Sequence, residues 1–598
     1  MIKLADYVIE YVGSLGVEEI FTVSGGGSIF FCDALARSKK VKYVCCHHEQ
    51  AVNMATEAYA RVRQDIAVSL VTTGPGGTNS ITGVACSWMD SVPHLVISGQ
   101  VFFNQTIGNS GVRQLGVQEI NIIDLIKPIT KYAVMVTDPQ SIKYHLQKAI
   151  YLAKTGRPGP VWLDVPANVQ NAMIDENALQ GFSPEEVRIG YDKDLTEKVS
   201  KVVALLKASK RPMIHVGQGV RLAGATDDFM QFIETHGLPF VTARNANDMV
   251  PTSHDLYIGR PGTFAQRGAN FAVQNADFYL AIVTRLSLPQ TGYNSKDFAR
   301  NAARVMVDID RAELDKKTLD MHIKVHADAK AFLLELNRQA SGLRLDVSEW
   351  LGQCRKWRER YPVVLPEYWR QKGSVNSYVL IDILSDLLTA DDVVVTDMGF
   401  AFQNTHQAFR VKKGQRVFTN CGFAPMGWGL PAAVGACFAN RRKRTVCIAG
   451  EGGLMMNIQE LATVMHHKLP IKLFILNNGG YLTIKQTQQI GFESRIMGSN
   501  EETGLSFPDM MKIAEAHGMP GVRLESQDNM RQRIQEALDP PGPFVCEIVM
   551  DRDQEQIPKI ISRRRPDGTM EQTPLEDMYP FLDREEIEEN MNSQRRKQ

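Results

Sequence analysis

The sequence has no surplus of charge: its 598 residues carry 67 basic and 67 acidic side chains. With a pI near 7.2, nothing in that balance invites nucleic acid or an anionic membrane. It also lacks any Cys-x-x-Cys pair. Its nine cysteines are scattered at Cys32, Cys45, Cys46, Cys86, Cys354, Cys421, Cys437, Cys447 and Cys546, several inside apolar strand patterns, so they read as buried free thiols of a reducing cytoplasm. The amino terminus is neither a secretory leader nor a membrane span, because residues 1–20 read as an amphipathic helix carrying Lys3, Asp6, Glu10, Glu18 and Glu19. A dinucleotide fingerprint is missing as well. Gly217-Gln218-Gly219 has Leu222 where a third glycine would stand, and a strand-to-helix turn explains it.

What the chain does have is alternation. It is too long for one core and divides into three or so domains. Apolar strands over 20–23, 42–46, 66–72 and 94–98 alternate with helical patterns, and a strand over 156–166 closes the series at Pro166. Further strands are expected at 212–216, 278–283 and 303–309, then at 393–396, 445–449, 471–476 and 544–549. The expected fold is therefore α/β, three consecutive parallel-sheet domains over 1–170, 190–340 and 360–550, followed by a charged tail over 551–598. Polar segments at 167–194 and 341–373 join them.

The densest chemistry lies between Gly450 and Tyr481. A strand leads into the turn Gly450-Glu451-Gly452-Gly453, then come a helix, a second apolar strand and Asn477-Asn478-Gly479-Gly480. Glu451 and Asn478 stand 27 positions apart, about what one strand–helix–strand crossover consumes. In a parallel sheet both loops then open on one edge, into the crevice where open α/β sheets bind ligands. A carboxylate, an amide oxygen and the Gly480 carbonyl form a hard oxygen set suited to Mg²⁺, which completes its shell with phosphate oxygens and water. Gly-x-Gly alone is an ordinary tight turn. With the asparagine pair at this interval, it reads as a site for a diphosphate held through a metal.

A second cluster lies upstream. The strand over 42–46 runs into His47-His48-Glu49-Gln50 and a helix, where an acid by itself is simply favoured by the helix dipole. Val71-Thr72-Thr73-Gly74-Pro75-Gly76-Gly77-Thr78-Asn79 follows, a strand and a glycine-rich turn that a planar ligand can approach closely. Ala58-Tyr59-Ala60-Arg61, Ser98-Gly99-Gln100, Gly156-Arg157-Pro158-Gly159-Pro160-Val161, Met426-Gly427-Trp428-Gly429-Leu430-Pro431 and Met456-Asn457-Ile458-Gln459-Glu460-Leu461 continue in register. Together, over residues 1–550, these motifs resemble the acetolactate synthase branch of the thiamine-diphosphate decarboxylases and carboligases.

The resemblance implies pyrimidine-binding, central and diphosphate-binding domains, and roles for named residues. Glu49 takes the place of the glutamate that activates the cofactor, and Gln118 that of a glutamine orienting the substrate. Gly26 brings backbone to the reacting centre, and Thr72, Pro75 and Asn79 are further cofactor contacts. Met426 matches the apolar wedge that bends the cofactor, while the Ala424 carbonyl receives its exocyclic amine. On the diphosphate side the implied contacts are Gly399, Phe400, Ala401, Gly450, Glu451, Gly452, Gly453, Asn478, Gly480, Tyr481, Leu482 and Thr483, with Glu451, Asn478 and Gly480 holding Mg²⁺.

Three departures stand out: Glu451 for the family's Asp, Gly399-Phe400-Ala401 for Gly-Gln-His, and Thr284-Arg285-Leu286-Ser287-Leu288-Pro289-Gln290-Thr291-Gly292 where flavin-bearing members have an acidic and basic pair before Thr-Gly. Arg285 and the turn Arg260-Pro261-Gly262 remain, which leaves a bound FAD open. The expected reaction is decarboxylation of a 2-oxo acid, pyruvate, with transfer of the two-carbon unit to an acceptor carbonyl. The stretches 478–488 and 567–578 look more like relatives found with sugar-modifying enzymes than like biosynthetic acetolactate synthase, so a nucleotide-linked keto sugar is the acceptor this reading names. The rivals are acetolactate synthase itself and a catalytically silent member retained for assembly or regulation. The family also implies self-association, as homodimer or homotetramer, with one site shared between two chains.

Overall fold

A computed structural model describes residues 1–564, 567 and 569–592, so Gly568 of the tail motif lies outside the described residues. Three six-stranded sheets follow one another along the chain. The first holds β1 (Glu19–Thr22), β2 (Lys42–Cys45), β3 (Ala67–Val71), β4 (His94–Gln100), β5 (Tyr132–Met135) and β6 (Pro160–Pro166), in the order β2-β1-β3-β4-β6-β5. The second holds β7 (Pro212–Val216), β8 (Phe240–Thr242), β9 (Tyr257–Gly259), β10 (Phe278–Ile282), β11 (Ala303–Asp308) and β12 (Ile323–His326), in the order β9-β8-β7-β10-β11-β12. The third holds β13 (Val393–Thr396), β14 (Arg416–Phe418), β15 (Thr445–Gly450), β16 (Ile471–Asn477), β17 (Gly521–Leu524) and β18 (Phe544–Val549), in the order β14-β13-β15-β16-β18-β17. All pairings within these sheets are parallel.

The central strands are the continuous apolar runs that burial on both faces demands. Every residue of β3 (AVSLV), β7 (PMIHV) and β10 (FYLAI) is buried. The strands absent from the alternation pattern are β5, β8, β9, β12, β14 and β17, each three or four residues long. All but β8 lie at a sheet edge.

Helices carry the site from the strand ends: α1 (Glu49–Arg63) follows β2, α2 (Pro75–Met89) follows β3, and α3 (Phe400–Ala408) follows β13. Next come α4 (Gly429–Ala439) after β14, α5 (Glu451–Leu454) after β15 and α6 (Leu482–Gly491) after β16. Helix α1 has almost no solvent face, being buried from Ala51 through Arg61, as expected of a helix clasped on several sides. A Cβ on Gly83 of α2 would fall 2.5 Å from Asn53 Cβ, and one on Gly435 of α4 would fall 1.9 Å from the Ala55 carbonyl oxygen. Backbone therefore touches backbone where α4 crosses α1, and one core runs through both units. Charge is buried at the same seam: Arg61 reaches Glu57 and Asp90, each at 2.6 Å, and the Trp428 indole donates to Glu57 at 2.6 Å. Such a cluster is costly to desolvate, so breaking one partner is far more damaging than replacing the set.

The charged tail is docked. Ile560, Leu575 and Met578 are buried in one of the two cores of the central unit. The hairpin β19 (Ser562–Arg564) and β20 (Met570–Gln572) leads to α7 (Arg584–Asn592), where the Trp357 indole donates to Asn590 Oδ1 at 2.8 Å. No helix among the described residues is long and apolar enough to cross a membrane.

Candidate active site

The first cluster forms where β1, β2 and β3 end. His48 caps α1, its Nδ1 accepting from the Gln50 N–H at 3.1 Å, which sets Glu49 in the first turn. Glu49 is 8% exposed and its Oε2 accepts from Asn79 Nδ2 at 3.0 Å, so one carboxylate oxygen is oriented and the other is left beside Gly76. Gly25 and Gly27 press on Thr72 and Thr73, and the Gly27 N–H donates to Thr72 Oγ1 at 3.0 Å. A Cβ on Gly26 would meet nothing within 4 Å, leaving its backbone open to a ligand. Pro75 starts α2 at the exposed rim.

Gln118 joins this cluster through its backbone. Gly74 (φ +61°) has no room for a side chain because the Gln118 carbonyl oxygen would lie 2.2 Å from its Cβ, and Gln118 itself adopts φ +63°. A non-glycine residue held left-handed costs about 1 kcal/mol and marks a place where the surroundings over-determine the backbone. Beneath it, Thr73 donates to Gln100 at 2.6 Å, and Gln100 donates to the Ile120 carbonyl at 3.2 Å and to Asp164 at 3.1 Å. Burial pushes the Asp164 carboxyl up to about 7 against the hydrogen bonds from Ser98 and Gln100.

The second cluster gathers at the ends of β13, β15 and β16. Glu451 does not sit in an open turn: it is the first residue of α5, 1% exposed. Its Oε1 accepts from the Asn478 N–H at 3.2 Å and the Gly480 N–H at 2.9 Å, and burial raises the carboxyl to about 7 in spite of these donors. Gly450 is the extended cap before it. Side chains are excluded at Gly452, covered by the Tyr481 ring, and at Gly453, which faces Asp397. Gly399 (φ +72°) lies near Thr483, whose Oγ1 would be 3.7 Å from a Cβ there. The side chains of Phe400, Ala401 and Leu482 belong to the core beneath and leave only their backbone to the site. Ala424 has φ +59°, a left-handed conformation that a residue with a side chain adopts at a cost. Met426 is half-buried beside it.

Sequence reasoning missed Asp397. Buried at the end of β13, it accepts from the N–H groups of Met398 (2.6 Å), Gly427 (3.0 Å) and Gly429 (3.4 Å), tying the Met426 segment to the diphosphate side. Desolvation pushes it up to about 6. Its only signal was an acid at a strand end, since two of its three donors, Gly427 and Gly429, are remote in sequence.

Two acceptor atoms, Glu451 Oε2 and Asn478 Oδ1, are buried with no hydrogen-bond partner among the described residues. Orphaned buried oxygens are expensive, and a hard cation bridging them to phosphate would satisfy both. No cluster of three His, Cys, Asp or Glu exists among the described residues, so phosphate and water would have to complete the shell. Three family models match this layout: the N-terminal thiamine pyrophosphate binding domain at residues 2–125, the central domain of these enzymes at 199–336, and the C-terminal thiamine pyrophosphate binding domain at 397–548. Acetolactate synthase 1 of Nicotiana tabacum is 30% identical over 94% of this chain and 83% of its own length. The chain belongs to the thiamine pyrophosphate enzyme family. The large subunit of acetolactate synthase from Lactococcus lactis is likewise 30% identical, over 92% of this chain and 93% of its own, and isozyme 1 of Escherichia coli 28%, over 93% and 95%. In this thiamine pyrophosphate enzyme Asn457 donates to the Gln50 side chain at 3.4 Å and to the Gly427 carbonyl at 2.8 Å, while no hydrogen bond among the described residues joins Glu49 to Glu451 directly.

A cavity of about 410 Å³ lies apart from both clusters, lined by Gly217 and Gly219 after β7, Arg285 after β10, Asp308 at the end of β11, and Met89 and Cys421 from the other two units. The central sheet reverses its order between β7 and β10, the switch point at which such sheets bind nucleotides. Gly217 and Gly219 are there because a Cβ would overlap Val283 at 2.0 and 2.6 Å.

Proposed function

We propose that the protein decarboxylates a 2-oxo acid, pyruvate, and transfers the acyl unit to an acceptor carbonyl, using thiamine diphosphate held through Mg²⁺. The observation that carries this reading is the pairing of an oriented acid, Glu49 on Asn79, with a buried oxygen pair, Glu451 and Asn478, that lacks partners. When bound, thiamine diphosphate supplies a nucleophilic carbon and an electron sink for the carbon left by carbon dioxide. The chain supplies the rest. Glu49 holds or releases a proton at its unpaired oxygen, the Ala424 carbonyl accepts an amine, Met426 fixes the bend, and Gln118 orients the substrate. Glu451, Asn478 and the Gly480 carbonyl would hold the metal, and the backbone at Gly399 would meet the diphosphate. The intact Glu49–Asn79 pair weighs against a silent scaffold.

For the acceptor we favour a nucleotide-linked keto sugar, on the resemblance of the stretches 478–488 and 567–578 to relatives found with sugar-modifying enzymes. Acetolactate formation, as the relatives are named, is the alternative. Carbon dioxide release from pyruvate with added cofactor and Mg²⁺, followed by mass spectrometry of the product, tests both. No release under these conditions rejects the decarboxylase reading.

Two finer readings accompany this one. A homodimer or homotetramer that completes each site from two chains is supported by bare apolar side chains such as Val117 and Met497, 84% and 80% exposed. The switch-point cavity favours a nucleotide-bearing ligand, a class that includes FAD. Nine free cysteines suit a reducing cytoplasm.

A further inference from the structure

The segment from Asn420 to Trp428 belongs to the third unit, yet both of its ends are held by one acid of the first. Asn420, fully buried, donates to Glu57 Oε1 at 2.9 Å and to the Cys86 carbonyl at 3.1 Å. At the other end the Trp428 indole donates to Glu57 Oε2 at 2.6 Å. Arg61 takes up the rest of Oε1, through Nε at 2.9 Å and a terminal nitrogen at 2.6 Å, so every group bonded to this carboxylate is a donor. Glu57 lies on α1, about two turns beyond Glu49.

What the two anchors hold is a turn that does not hold itself. Ala424 is left-handed, at φ +59°, which costs free energy in any residue with a side chain. Asn420 Oδ1 keeps it there, accepting from the Phe423 N–H at 3.1 Å and the Ala424 N–H at 3.2 Å. The Ala424 carbonyl, by contrast, has no donor among the described residues. Asn420 can serve the turn only while its own amide is oriented, and its Nδ2 is oriented by Glu57 and the Cys86 carbonyl. Asp90 supports the first end by accepting from the Cys421 N–H at 2.9 Å, and Asp397 the second by accepting from the Gly427 N–H at 3.0 Å. Among the described residues, Glu57 alone is bonded to both ends. Between them Phe423 is 43% exposed and Ala424 through Met426 are half-buried, so an open middle is framed by fixed ends.

Resting on the reading that the Ala424 carbonyl receives the cofactor's exocyclic amine, we propose that Glu57 is a positioning residue for that carbonyl. By fixing both ends of the segment it makes the site prefer a cofactor that carries the amine, since a rigid acceptor left without its donor penalises an analogue that lacks it. A slack turn would tolerate both. The full-length protein, freed of cofactor by dialysis, is titrated calorimetrically in Mg²⁺ with thiamine diphosphate, with its analogue lacking the exocyclic amine, and with inorganic pyrophosphate. The wild type is expected to bind thiamine diphosphate about tenfold tighter than the analogue. Glu57→Gln sets an amide NH₂ against donors and should remove most of that preference, while pyrophosphate affinity, which depends on Glu451 and Asn478, stays unchanged. Where Glu57→Gln does not fold, Trp428→Phe and Asn420→Ala carry the test, because each cuts one tie and leaves Glu57 with Arg61. Each should lower the preference about threefold, again with pyrophosphate affinity unchanged. An undiminished preference in folded Trp428→Phe and Asn420→Ala overturns the proposal. So does a parallel loss of pyrophosphate affinity, which marks general loosening rather than the placement of one carbonyl. A wild type that binds thiamine diphosphate and the analogue equally refutes the reading of Ala424, and the inference falls with it.

Discussion

Glu49 and Asp164 are both buried acids of the first unit, and they do different things. Glu49 sits where its unpaired oxygen can exchange a proton with a ligand, so Glu49→Gln should fold and bind cofactor normally yet lose roughly 10²- to 10⁴-fold in turnover, measured as carbon dioxide release beside circular dichroism. Asp164 is locked into hydrogen bonds and titrates with stability as the readout. Its folded pKa, about 7, lies above the unfolded value, so its contribution is fully present below about pH 4 and is lost as pH rises through about 7. Asp164→Asn cannot ionise, and its melting temperature should therefore gain on the wild type between pH 5 and pH 8, by about 3 kcal/mol in stability terms. Parallel melting curves across that range would show that Asp164 does not titrate with folding. Glu49, Glu451 and Asn478 were legible because each lies in a short motif at a strand end. Asp397 was not, because its role exists only once Gly427 and Gly429 are folded against it.

Among the elements, the longer strands could be read from their unbroken apolar runs, while short strands, all but β8 at a sheet edge, could not. Segments such as β14 and β17 are three or four residues long, and a strand covered on one side needs no long hydrophobic run. Helix α1 was visible as a helix, but its burial on nearly every side depends on glycines that lie far away in sequence, Gly83 and Gly435. At Gly435 the contact is with backbone, which cannot rotate aside. Gly435→Ala should accordingly force α1 and α4 apart and cost roughly 1–3 kcal/mol, seen as a lower melting temperature. Gly542, with open space around it, is the control and should tolerate alanine.

At the scale of the whole molecule, the first and third sheets share one strand order and the middle sheet has another. Three parallel-sheet units were legible from alternation alone, but this likeness was not, since it resides in the order of short edge strands. Each outer unit offers half of a site at equivalent strand ends. Mixing Glu49→Gln chains with Glu451→Ala chains and allowing subunits to exchange should restore activity at one of two sites in each heterodimer, up to about a quarter of the wild-type rate at full exchange. Heterodimers that form and remain inactive would refute a shared site. The docked tail has a consequence for how the protein is made. A core of the middle unit is closed by Ile560, Leu575 and Met578, which leave the ribosome only after the whole third unit, so that core stays open long after the first unit, already complete, can fold as it emerges. Chaperone demand during translation should thus centre on the middle of the chain, and a stop codon before Ile560 leaves two complete outer units beside an unfinished neighbour.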